Sequence, residues 1–475
     1  MKKLVILSLT SLSLLSLGSC KKYLDINDNP NAATSVSPKL LFNYAATAYA
    51  ANRSSGDNYL VNAFATQTIA NGGNFGWGFE DVYDISIYGT GNTWKVYYAT
   101  AGQNLMEAIE IANSQATPLT GSAGQCKILL AQNMLDCTLL FGDVPFSEAW
   151  KAKEISYPKF DSQQEVFNQL LTLLDEGIQD ITGNSATMMA DMFYNGNEDK
   201  WIRVANSIKL KIMMIMVDKD PSKAAAIGTL LNEDKFINSN EGNFQFNYTA
   251  SAATQNPKYR LNEYYAGGQN LWFFGSKVIT DPMVGDNDPR LSVYFEDPDQ
   301  DFNGLAQNQE ADENSPLISN YLWRPTAPEI LTSYSEILFY KAEAYARGLG
   351  VAQNITEADT YYKQALTAAC RFYGIEAAAT TTFVDSKTLV GSNNPLDELH
   401  MQQFIDFMDR PIEAFTNWRR SGTAGNEVPT LTIPTGSPNA GLIRRWPYPN
   451  SEEISPNPNA PKNNPQYYEK LWFDL

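Results

Sequence analysis

The sequence predicts a mostly α-helical fold with few short strands. Three observations carry that prediction. Apolar residues recur at spacings of three and four along much of the chain. No strand-like segments alternate with helical ones, which argues against a Rossmann or barrel arrangement. Long stretches rich in Gly, Asn, Pro and aromatic residues separate the helical segments.

In chain order, the first helix is expected over Leu40–Ala51, after Pro38. Thr93 to Ala112 follows, with Trp94, Tyr97, Tyr98, Leu105, Ile109 and Ala112 broadly on one face. Gln125–Leu140 is apolar at Ile128, Leu129, Ala131, Leu135, Leu139 and Leu140. Gln164–Ile181 spaces Phe167, Leu170, Leu171, Leu174 and Ile178 as a helix requires. Asp161, three residues ahead of Gln164, resembles the first half of a capping box. Further helices are expected at Asp199–Asp218, Pro221–Leu231, Pro328–Gly348, Glu357–Phe372 and His400–Trp418. Glu336–Arg347 and Thr356–Phe372 read as a packed pair. Their Ala346, Ala358, Tyr362 and Ala365 fall at spacings like the small and aromatic positions of tetratricopeptide repeats. Several such pairs would build a curved scaffold. The stretches at about 52–92, 236–323 and 428–475 read as loops inserted in this scaffold, with a short strand at Asn243–Tyr248. Loops of that length are uncommon in a compact domain unless they carry function.

The N-terminus reads as a targeting segment. Lys2 and Lys3 precede an apolar run from Leu4 to Leu17, followed by Gly18, Ser19 and Cys20. The run is shorter than the ~20 residues that cross a bilayer as a helix. Its L-G-S-C ending looks like a bacterial lipobox, in which cleavage precedes the cysteine and the new N-terminal Cys is acylated. On this reading residues 1–19 are a lipoprotein signal peptide, Cys20 carries the lipid, and 20–475 forms a single domain. Several acyl chains on one residue give stable anchoring, because each buried CH₂ adds ~0.8 kcal/mol.

Cleavage there would remove two lysines and take the formal net charge from −18 to −20. So acidic a chain is a poor partner for nucleic acid or anionic headgroups, and the lipid rather than charge would hold it at the membrane. The three other cysteines, Cys126, Cys137 and Cys370, are an odd number and argue against a disulfide framework. They read as small buried hydrophobes.

Catalytic chemistry is thinly represented. The one histidine, His400, reads as structural. Zinc, nucleophile-elbow, redox-cysteine and phosphate-loop motifs do not occur. Gly285–Arg290 suggests calcium ligands but lacks the spacing and closing glutamate of an EF-hand loop. No metal and no cofactor is expected. The 53 acidic residues leave a glycosidase-type carboxylate pair open, without any strand-end pattern that would place one across a cleft.

Aromatic residues carry more information. Residues 71–94 hold Phe75, Trp77, Phe79, Tyr83, Tyr88 and Trp94, several separated by glycine. A second cluster contains Tyr259, Arg260, Tyr264, Tyr265, Trp272, Phe273 and Phe274. Flat rings flanked by Asn and Asp suit sugars, whose C–H faces stack while their hydroxyls hydrogen-bond, and they suit peptide side chains nearly as well. The expected ligand residues are Phe75, Trp77, Phe79, Tyr83, Tyr88 and Trp272 for stacking, with Asn71, Asn74 and Arg260 for hydrogen bonds. Trp94 opens a helix and is assigned to the core.

The lipobox, the KKYLDIN that follows it, TWKVYYATAGQN at 93–104, FGDVPFSEAW at 141–150, DPR at 288–290, SEILFYKAEAYARG at 335–348, NWRRSG at 417–422 and RRWPYPNSEEISPNPN at 444–459 together resemble the SusD/RagB superfamily of Bacteroidetes outer-membrane lipoproteins. The marks fall in family order across nearly the whole mature chain, and the SusD-like, starch-binding branch fits best. The resemblance implies four tetratricopeptide-like helix pairs under a loop-rich ligand-binding face. It implies a non-catalytic, cell-surface role: capturing oligosaccharide, or peptide in some members, for a TonB-dependent SusC-like transporter in the outer membrane. A peptide-binding subunit of a similar import complex is the first alternative, and a surface-anchored glycoside hydrolase the more distant one. The DPR and NWRR motifs read as structural, their arginines forking carboxylates or carbonyls.

Overall fold

Two reciprocal capping boxes and several single caps open the helices. Ser162 and Glu165 exchange hydrogen bonds at the head of one helix, and Ser333 and Glu336 at the head of another. Asn197, Asn256 and Asn354 cap three more with their side-chain oxygens. Each bond satisfies an amide that the first helical turn leaves without a partner. The computed structural model describes residues 36–72, 79–85, 87–268, 270–449, 454 and 456–475. The chain divides into Met1–Ser37 and Pro38–Leu475, and every element named below lies in the second unit.

Helices α1 (Pro38–Arg53) and α2 (Gly56–Ala65) lead into strand β1 (Ile69–Ala70). A π-helical segment, Val96–Gly102, joins α3 (Ile87–Lys95) to α4 (Gln103–Ser114). Four helices follow: α5 (Thr120–Phe141), α6 (Gln163–Ile181), α7 (Glu198–Met216) and α8 (Lys223–Glu233). The middle of the chain is mixed: β2 (Phe244–Phe246), α9 (Pro257–Ala266), β3 (Phe274–Gly275), α10 (Lys277–Gly285), α11 (Leu291–Tyr294), β4 (Phe295–Glu296), β5 (Leu317–Ile318) and β6 (Glu329–Thr332). The last helices are α12 (Tyr334–Arg347), α13 (Ile355–Phe372), α14 (Ala377–Asp385), α15 (Pro395–Asp406) and α16 (Pro411–Arg420). The fold is mostly α, built from tetratricopeptide-like pairs: α1 packs on α4, α5 on α6, α7 on α8 and α12 on α13. In the last pair Ala346, Ala358, Tyr362 and Ala365 are buried in one cluster, as their spacing predicts. Small residues set the close approaches. A Cβ on Gly124 of α5 would lie 2.7 Å from the Gly177 carbonyl of α6, and one on Gly228 of α8 would overlap the Gly350 carbonyl.

Where the structure departs from the expected elements, burial and tertiary pairing explain it. The 52–92 stretch is not all loop, because α2 lies inside it. Every residue of α2 from Asn58 to Ala65 is buried, including Asn58 and Asn62, so no one-sided apolar stripe marks it. The 236–323 stretch likewise contains α9, α10 and α11, and α14 was not foreseen. Residues 329–332 form a strand rather than the start of α12, because they pair antiparallel with β2. The helix expected over His400–Trp418 is two helices, divided at Arg410–Pro411. Proline lacks the N–H to continue a helix but suits the first position of the next. Asp161 does not cap α6; its carboxylate instead accepts the Phe146 and Ser147 amides, and Ser162 is the cap. The three cysteines in the described body are buried and free.

A buried charge network ties these layers together. The Arg53 guanidinium, at the end of α1, pairs with Asp136 on α5, with Glu329 on β6 at 2.8 Å and with Glu413 on α16 at 2.8 Å. Lys211 on α7 bridges Glu413 and Glu336 at 3.1 and 3.0 Å. Arg410 reaches Asp406 at 2.7 Å and Glu336 at 3.4 Å. The two motifs assigned to structure behave so. Arg290 forks Asp288 and also reaches Gln402. Arg419 donates to the Phe415, Leu139 and Arg444 carbonyls, and Arg420 grips both oxygens of Glu343. Burial alone would raise the Glu343 carboxyl, but Arg420, His400 and Arg347 outweigh it and hold it down at about 2.

Candidate ligand-binding site

The loop face is rooted in a small antiparallel sheet of order β1-β3-β5-β4. Ile69 and Ala70 pair with Gly275 and Phe274, Phe274 pairs with Leu317, and Ile318 pairs with Phe295. This sheet brings the two aromatic stretches of the sequence together, although some 200 residues of chain separate them. The base of the first stretch is fastened to a third. Gly72 accepts the Ala311 amide at 2.9 Å and packs against the Phe274 ring. Asp81, buried, accepts the amides of Asn71 at 3.3 Å and Asn308 at 3.2 Å. Burial pushes its carboxyl up to about 6, and those two hydrogen bonds offset only part of the cost.

Asn270 builds the other side. Its amide group donates to the Phe273 and Ile318 carbonyls at 2.7 and 3.0 Å, and its oxygen accepts the Trp272 and Phe273 amides. Its backbone amide donates to Asn320, which in turn donates twice to Glu296. This small network leaves Leu271 exposed and Trp272 half-buried beside it, and holds the neighbouring Tyr321 exposed on the adjoining loop. The Arg324 guanidinium lies 4.3 Å from the centre of the Tyr321 ring, which orients that ring. Tyr264 stands 81% exposed near the end of α9, before the chain turns back at Gly267. Apolar surface on loops held by buried hydrogen bonds is the arrangement a stacking site needs.

The expected ligand residues divide as follows. Phe75, Trp77 and Asn74 lie outside the described residues. Phe79 opens a 3₁₀ turn, Phe79–Val82, and Tyr88 lies in α3; their side chains are not described. Asn71 is buried at the sheet edge, and Trp272 is half-buried on the loop face. Tyr83 is a correction: it is fully buried, and its hydroxyl accepts from Gln67 at 2.7 Å and donates to the Ala65 carbonyl. Its ring offers no face to a ligand, because partners 16 and 18 residues upstream draw it inward. Phe273 and Phe274 are buried as well, and Trp94 is core, packed edge-on against Phe141. Arg260 does not join the sheet face; it lines a separate pocket of about 610 Å³ beside α1. Leu271, Tyr321 and Arg324 were not singled out from the sequence, and the aromatic density of YLW at 321–323 was the available signal.

His400 is buried, with Nδ1 3.4 Å from the Asn417 oxygen, and burial lowers its pKa. Among the described residues no cluster of His, Cys, Asp and Glu is arranged to hold a metal ion, and no helix is long and apolar enough to cross a membrane.

Comparison with known proteins accords with this architecture. Residues 30–449 match the SusD-like family model described as "Starch-binding associating with outer membrane". This chain belongs to the SusD-like family. Solved SusD-like structures share the fold over nearly its full length. A chitin-binding protein superposes with a TM-score of 0.78 at 22% identity, covering 92% of this chain and all of its own. A SusD/RagB family protein from Bacteroides thetaiotaomicron gives 0.71 at 21% identity, covering 92% of this chain and 99% of its own. A chitin-binding SusD homolog from Flavobacterium johnsoniae gives 0.67 at 20% identity, covering 89% and 93%. No curated protein matches at the level of sequence.

Proposed function

We propose that this SusD-like protein is a non-catalytic receptor at the cell surface, anchored in the outer membrane through lipid on Cys20. In this reading residues 1–19 are removed, and 20–475 captures oligosaccharide and delivers it to a SusC-like TonB-dependent transporter. The single observation that carries the binding role is the loop face on the β1-β3-β5-β4 sheet, where Trp272, Leu271 and Tyr321 present apolar surface on loops tied by buried Asn270 to half-buried Asn320. The family description and two chitin-binding relatives support a carbohydrate ligand. Phe75, Trp77 and Phe79, carried on the stretch after Gly72, are proposed to extend the same face, with Asn71 and Asn74 beside them.

The test is isothermal titration with maltooligosaccharides, N-acetylglucosamine oligomers and mixed short peptides, run beside assays for release of reducing ends. Binding to one glycan series without turnover supports the receptor. Tyr321→Ala and Trp77→Ala should each weaken that binding by about 1–3 kcal/mol, the range for central aromatic anchors. Turnover by the purified protein would replace this reading with the hydrolase, and binding to peptides alone would change the ligand class.

A further inference from the structure

The pocket lined by Arg260 has a chemistry different from the sheet face. We propose that it is a second small-ligand site. Its ligand carries a carboxylate on an apolar body, the chemistry of a hydrophobic or aromatic carboxylic acid.

The cavity of about 610 Å³ lies between α1, the 246–255 stretch and the first turn of α9. That volume is in the range of small-molecule sites. Its walls are largely apolar, with Ala51, Met192, Phe246, Tyr248 and Pro257 among them. The Phe246 and Tyr248 rings meet edge to face at 4.9 Å. Met192 adds a flexible, half-open thioether to this wall.

Charge then selects the occupant. Arg260 is the one charged residue in the pocket lining. Its guanidinium makes no hydrogen bond or ion pair with any described residue. By contrast Arg53, Arg290, Arg347, Arg410, Arg420 and Arg444 each pair with a carboxylate. Arg260, like Arg371, has no such partner, and it borders an apolar pocket, where its charge is matched to an anion from outside. A guanidinium fork binds a carboxylate through two parallel hydrogen bonds.

The test uses N-acetyl-L-phenylalanine as probe on the full-length protein, read by ligand-observed NMR and calorimetry. Saturable binding is expected. It should weaken about tenfold or more with N-acetyl-L-phenylalaninamide, which has the same shape without the charge, and by a similar factor in Arg260→Gln. Arg260→Lys should recover only part of it. Arg260 is exposed, so these variants leave the core untouched. Ala253→Trp, placed to fill the cavity, should abolish binding. No saturation by the probe, equal affinity for acid and amide, or unchanged affinity in Arg260→Gln would each overturn the assignment. Oligosaccharide titrations of the same variants separate this site from the sheet face: loss of glycan binding in Arg260→Gln with no response to the probe would make Arg260 part of the glycan site.

Discussion

Replacing Arg53 with methionine should expose how much the body depends on its buried charge network. The Arg53 side chain is 1% exposed, and the carboxylates it holds, Asp136, Glu413 and Glu329, are 0, 1 and 6% exposed. Methionine keeps most of the side-chain volume and removes the charge. The penalty is therefore the desolvation of three carboxylates that lose their partner, of which Glu413 alone retains Lys211. Removing one member of a buried pair costs about 3–5 kcal/mol. Unfolding entropy of about 2.1 cal/mol/K per residue over Pro38–Leu475 comes to ~0.9 kcal/mol/K, so the melting temperature should fall by about 3–5 °C. The loss should depend on pH in a defined direction. Burial already raises Asp136 and Glu329, with Arg53 opposing it. Without Arg53 their folded-state pKa values rise further. A carboxyl raised in the folded state stabilises below its unfolded pKa, and that stability is lost as pH rises through the folded value. The deficit of the variant should therefore grow from pH 5 to pH 8. Thermal melts followed by circular dichroism at both pH values read this out. A shift under 1 °C, or a deficit as large at pH 5 as at pH 8, would refute the claim that Arg53 neutralises these carboxylates.

Three further outcomes follow from single contacts. Asp81, raised to about 6 by burial against an ordinary value near 4, contributes stability present below about pH 4 and lost as pH rises through 6. Asp81→Asn should gain on the parent protein by about 2 kcal/mol between pH 4.5 and 7.5, and parallel melting curves across that range would contradict it. Gly228→Ala should cost at least about 2 kcal/mol, because its methyl would overlap the Gly350 carbonyl and the backbones cannot part without opening the α8 contact; a melt within 1 °C of the parent would show that the approach is not tight. Burial raises the thiols of Cys126 and Cys137 far above their usual range and that of Cys370 to about 11. None of the three should react with a thiol-specific disulfide reagent at pH 8 until the chain unfolds; prompt labelling of the native protein would indicate local opening around α5 or α13.

What the sequence determined by itself was the class of fold and the helices whose burial is one-sided. The stripe of Phe167, Leu170 and Leu174 marks α6, and Ala346, Ala358 and Tyr362 mark the α12–α13 pair, because a half-buried helix must repeat its apolar residues at its own period. It also marked Arg290, Arg419 and Arg420 as internal anchors. Tertiary structure alone decided the rest. Helix α2 is buried on all sides and carries Asn58 and Asn62 inward, so its period leaves no trace. Strand β6 exists because β2 lies beside it. Tyr83 and Tyr321 look alike as letters. One is drawn into the core by Gln67 and Ala65, and the other is kept at the surface by a loop pinned through Asn320 and by the guanidinium of Arg324. Whether a ring packs or binds depends on which distant groups satisfy its neighbours' hydrogen bonds. That is a property of contacts made across the fold, and no local spacing records it.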